Sequence, residues 1–130
     1  MIHGGNATIY VSDMDRAVEF YTRTLGLRLE YRAGNEWAAI DAGDGLKLGL
    51  HPAGAHSPRP GANGATIVGF GVTRPLDDVV ATLRKKAVNF KGPIIDDAKG
   101  SIRLAFLTDL DGNDLYLCES KWSGGPPNAQ

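Results

Sequence analysis

Few side chains in this chain of 130 residues suit chemistry by both type and place. His51 closes the run "LKLGLH" and is the only histidine expected on an inward strand face. Its imidazole could serve as a general base or as a hydrogen-bond partner for a substrate. The competing reading is a strand-end histidine beside a linker, because a lone imidazole needs partners to do chemistry. Trp37 could stack on a planar ligand or cap the core, and Tyr10 and Tyr116 each offer an apolar ring and one hydroxyl. Arg103 could bind a carboxylate or phosphate from inside a cleft, or stand on the surface as an ordinary arginine. Cys118 has no evident cationic neighbour to activate it, which favours a small packed thiol. His3 and His56 fall in segments expected to be flexible. Trp122 is expected to cover a cleft or a dimer seam, or to anchor the surface. The tail "SGGPPNAQ" reads as disordered. No Gly-rich phosphate loop or nucleophile elbow occurs; "GATIVGFG" reads as a strand.

The elements that must position these residues occur twice. Met14, Ala17, Val18, Tyr21 and Leu25 make the apolar stripe of a helix capped by Ser12 or Asp13 and stopped by Gly26. The same stripe recurs 62 residues later as Leu76, Val79, Val80, Leu83 and Ala87, with Pro75 at the first helical position. A strand run precedes each helix, "NATIYVS" and "TIVGFGVT". Three follow each: "LRLEYRA", "EWAAIDA" and "LKLGLH", then "GPIIDDA", "IRLAFLT" and "DLYLCES". Asp44-Gly45 and Asp111-Gly112 suit the turns before each last strand. The expected class is α+β, two tandem βαβββ modules whose curved mixed sheets form a cleft. The first module is expected over 6–51 and the second over 66–119. A Pro/Gly/Ala linker spans 52–65 and a tail 120–130, all within one domain.

Alternation assigns faces. Ile9, Val11, Leu48 and Leu50 should lie under the first helix, with Asn6, Thr8, Tyr10, Gly49 and His51 opposite. Val68, Phe70, Leu115 and Leu117 should lie under the second, with Ile67, Gly69, Gly71, Tyr116 and Cys118 opposite. Glu119 shares the helix-side parity. Glycines on the open faces leave room for a ligand, or sit beside bulky neighbours such as Trp37.

Composition removes some classes. The formal net charge is −1 and the pI about 6.3, so no basic field for nucleic acid exists. Apolar runs are too short to cross a bilayer. A single cysteine and no visible secretory signal suggest a reducing cytoplasm.

The segments "IYVSDMDRAVEFYTRTLGL", 9–27, and "DLDGNDLYLCE", 109–119, resemble the opening and closing signatures of the vicinal oxygen chelate superfamily. That superfamily contains glyoxalase I, the bleomycin-resistance proteins and the extradiol dioxygenases. The closing signature is usually Asp-Pro-Asp-Gly-Asn, and here Leu110 replaces the proline. The resemblance covers roughly 6–119 and implies paired βαβββ modules and a homodimer. It also implies four inward positions for metal ligands, which fall on Asn6, Gly49, Ile67 and Tyr116. A divalent ion needs several oxygen or imidazole donors, and this set lacks them. The expectation is therefore no cofactor, no metal ligand, and a small organic ligand, aromatic or amphipathic, as in the bleomycin-resistance branch. Its binding residues are expected to be Asn6, Thr8, Tyr10, Trp37, Gly49, His51, Ile67, Gly69, Arg103 and Tyr116, with no catalytic residue assigned. The alternatives are a glyoxalase- or dioxygenase-like enzyme with a relocated metal through His51 and Glu119, a cofactor-free enzyme using His51 or Tyr10, and a structural dimer.

Overall fold

The computed structural model describes residues 1, 6–62, 67–97 and 101–120. The readings made for His3, Trp122 and the tail beyond residue 120 lie outside the described residues, as do residues 63–65 of the linker. Two compact units emerge: residues 1–63 with 110–113, and residues 64–109 with 114–130.

The first unit runs β1 (Ala7–Val11), α1 (Met14–Glu19), a π turn (Phe20–Thr24), β2 (Arg28–Ala33), β3 (Trp37–Gly43) and β4 (Leu46–Pro52). Its curved mixed sheet has the order β1-β4-β3-β2, with β1 parallel to β4 and the other pairs antiparallel. The crossover through α1 is what allows the parallel pair. Asp44 and Gly45 close the β3–β4 hairpin with φ of 52° and 86°, the left-handed pair that an Asp-Gly turn supplies. The core packs Ile9, Val11, Ala38, Ile40, Leu48 and Leu50 beneath Met14, Ala17, Val18, Phe20 and Tyr21, all buried.

Helix α1 begins as expected. Asp13 has an extended backbone and its carboxylate accepts from Arg16 N at 3.0 Å. Its end differs from a simple stripe. Leu25 N donates to Phe20 O, five residues back, at 2.9 Å. The neighbours Phe20 and Tyr21 at the start of this wider turn are both buried, at 5% and 0% exposure.

The second unit runs β5 (Val68–Gly71), α2 (Leu76–Lys85), β6 (Asn89–Phe90), β7 (Ile95–Asp96), β8 (Ile102–Thr108) and β9 (Asp114–Ser120). Its sheet follows β5-β9-β8-β6, β7 also pairing with β8, and β5 parallel to β9. The short β6 was not anticipated. Leu76, Val80, Leu83 and Val88 pack against Ala105, Leu107, Leu115 and Leu117. Pro75 sits one place earlier than expected, as the N-cap, and offers no capping side chain. Glu119 supplies that acceptor from β9, taking the Leu76 N–H at 3.1 Å. Ala87, expected on the apolar stripe, is exposed at φ +65° just past the helix, and Val88 takes the buried place.

The turn 110–113 belongs to the first unit. The Asp111 carboxylate accepts from Ser12 N at 3.1 Å and from the Ser12 hydroxyl. Asn113 accepts from Gly61 N at 3.0 Å and donates to Tyr10 O at 3.1 Å. The Asp-Gly-Asn motif thus fastens β1 and the start of α1.

Candidate functional site

Each sheet has one face under its helix and one open face. On the first sheet the register sets the open-face side chains in cross-strand rows. One row holds Lys47, Asp41 and Arg28, with Asn6 exposed just before β1. The next holds Thr8, Gly49, Ala39 and Tyr31. The third holds Tyr10, His51 and Trp37.

The first row is a closed charge network. Arg28 reaches Asp41 at 2.6 Å, while Lys47 reaches Glu30 at 2.5 Å and Asp41 at 3.4 Å. The Gly43 backbone N–H, then the Arg28 guanidinium, hold the Asp41 carboxyl down at about 2. Chiefly the Glu30 partner pushes Lys47 up. These four groups carry two charges of each sign and satisfy one another.

The other two rows are aromatic. The Trp37 indole leans from β3 across β4 and lies directly on Gly49. A Cβ at position 49 would stand 2.0 Å from its Cη2. His51 stands between Tyr10 and Trp37, with ring centroids 5.6 Å and 6.3 Å away and both rings near edge-on. Its Nδ1 lies 2.8 Å from Pro52 O. Thr8, level with Gly49, donates its hydroxyl to Asn6 Oδ1 at 3.2 Å.

The second sheet repeats the device with other residues. Tyr116 lies over Gly69, where a Cβ would stand 2.1 Å from its Cζ. Phe106 flanks Tyr116 at 5.9 Å between centroids. Gly71, Cys118 and Leu104 form the adjoining row. Burial pushes the Cys118 thiol up, away from the thiolate form. Ile67 precedes β5 and is 42% exposed.

Arg103 requires a correction. It shares parity with Ala105 and Leu107, so it lies on the helix side of the second sheet and not on the open face. Its Nη1 reaches Asp77 on α2 at 2.8 Å and its Nε reaches Asp96 at 2.7 Å, with Glu119 at 3.6 Å. The Arg103 guanidinium holds the Asp77 carboxyl below its usual range. Its work is to tether α2. Tyr31 and Phe106, by contrast, stand on the open faces and were not anticipated. Beside Tyr31 the alternation is interrupted by a bulge between Leu29 and Tyr31.

The four positions at which the resemblance implies metal ligands do not suit an ion. Asn6 and Gly49 on the first sheet, and Ile67 and Tyr116 on the second, offer one amide and one phenol. At Gly49 the space for a donor side chain is filled by the Trp37 ring. Among the described residues no group of three or more His, Cys, Asp and Glu is placed to hold a metal. Glu119, the partner considered for His51, faces α2.

Two such units, each a mixed sheet with a helix crossing between its first and second strands, together with these signatures define a class of protein. The model of the Glyoxalase/Bleomycin resistance protein/Dioxygenase superfamily matches residues 5–117, and the chain belongs to that superfamily. Solved structures agree in fold. A superfamily member from Sphaerobacter thermophilus is 24% identical with a TM-score of 0.76, over 92% of this chain and 98% of that one. TnmS3, an antibiotic binding protein from Streptomyces sp. CB03234, is 25% identical with a TM-score of 0.74, over 93% and 98%. A lactoylglutathione lyase from Agrobacterium tumefaciens is 21% identical with a TM-score of 0.70, over 92% and 94%. No curated protein matches the chain. Among the described residues no helix is long and apolar enough to cross a membrane.

Proposed function

We propose that this chain is a metal-independent binding protein for a small aromatic or amphipathic compound, working as a cytoplasmic homodimer. One observation carries the reading: the Trp37 ring laid on Gly49, with Tyr10 and His51 beside it. That arrangement replaces a donor side chain with a flat apolar surface, and such a surface gains by covering itself with a planar guest. The fold it shares with an antibiotic binding protein is in keeping with this.

A thermal-shift screen over aromatic natural products and antibiotics tests the binding role. A ligand of the native state must raise the melting temperature, and Trp37→Ala should cancel the rise. Metal analysis and titration with Zn²⁺, Ni²⁺, Mn²⁺ and Fe²⁺ tests the rest. Stoichiometric binding at about micromolar affinity or tighter would refute metal independence. A scattering mass near twice 13.8 kDa would support the dimer.

A further inference from the structure

We infer that His51 presents a fixed hydrogen-bond acceptor between two aromatic rings, and that the ligand is a neutral planar aromatic bearing an O–H or N–H donor. The inference rests on the binding reading above and narrows it to a chemical class.

A carbonyl oxygen can only accept. The Nδ1 of His51, 2.8 Å from Pro52 O, therefore carries the ring proton in the neutral imidazole. The other nitrogen, Nε2, is then left as an acceptor. His51 is exposed, and it sits on the central strand of its row with Tyr10 on one side and Trp37 on the other. A ring resting on this face can place a donor on Nε2.

The charge of the guest follows from the charged row on the same face, two rows along the sheet from His51. Arg28, Lys47, Glu30 and Asp41 are two of each sign and engaged with one another. They offer no net charge for an ionic ligand to answer. Recruiting an ion would mean breaking those pairs. A neutral guest leaves them intact.

Matched probes test the inference by calorimetry in mildly alkaline buffer. 2-Naphthol carries the donor, and 2-methoxynaphthalene has it masked. 2-Naphthol should bind about fivefold more tightly, the typical value of one net hydrogen bond. In His51→Phe that preference should vanish, read as the ratio of the two probe affinities within the variant. In His51→Gln, whose amide oxygen can accept, part of it should return. Equal binding of both probes to the native protein would overturn the inference and leave the binding role standing. So would a preference that survives in His51→Phe. Binding of neither probe would overturn both.

Discussion

At the scale of single residues, the contact between Trp37 and Gly49 governs the open face. A methyl group at position 49 meets the indole at 2.0 Å, so Gly49→Ala must push the ring aside. The expected cost is about 1–3 kcal/mol in denaturant unfolding, as for an overpacked site. In the Trp37→Ala background the same substitution should cost far less, a coupling of about 1 kcal/mol or more in a double-mutant cycle. Asp41 makes a second prediction. Its carboxyl falls from an ordinary 3.8 to about 2 in the folded state, through the Gly43 N–H first and Arg28 next. A depressed carboxylate stabilises the fold fully above 3.8, and that contribution is lost as pH falls through about 2. Asp41→Asn should therefore flatten the acid limb of a stability profile in that window and leave its neutral region less stable throughout. The parities of Tyr10, Gly49, His51 and Tyr116 were legible because each strand there alternates cleanly. Arg103 was not. "IRLAFLT" carries apolar residues on both parities, Ile102, Leu104 and Phe106 against Ala105 and Leu107, so alternation had no means of choosing its face.

At the scale of elements, each helix is held by more than its apolar stripe. Pro75 cannot cap α2 with a side chain, and the strand partner Glu119 takes that place. Arg103 links the helix to β7 and lies near Glu119. Arg103→Ala should lower the melting temperature while leaving ligand affinity unchanged, since its guanidinium is on the helix side. Loss of affinity in that variant, at a temperature where it is folded, would contradict the corrected placement. The repeat itself was readable from the recurrence of Met14, Ala17, Val18 and Tyr21 at Leu76, Val79, Val80 and Leu83. The π turn was not. Phe20 lies at the edge of the stripe and is buried with Tyr21, and the widened bond from Leu25 N to Phe20 O that follows them has no signal in the spacing of apolar residues. Helix α2 stopped short of its predicted end for a similar reason of geometry: a left-handed Ala87 turns the chain and hands the buried place to Val88.

At the scale of the whole molecule, the doubled sequence does not divide into two self-sufficient halves. Hydrogen bonds over 99 and 103 residues of sequence join Ser12 to Asp111 and Tyr10 to Asn113. No periodicity within one chain could have disclosed them, because they depend on where a distant turn comes to rest. Asp111→Ala should cost about 0.5–1.5 kcal/mol by removing the acceptor of the exposed Ser12 N–H and hydroxyl. Asn113→Ala should speed amide hydrogen exchange at Gly61 ahead of global unfolding. Unchanged exchange there would show that the turn is ornamental. The same turn sets a schedule for synthesis. Translation emits the strands of the first unit by residue 52, yet the residues that fasten it arrive only at 110–113. At roughly 5–20 residues per second that interval is about 3–12 s. A nascent first sheet must wait through it with its last fastening still unmade inside the ribosome.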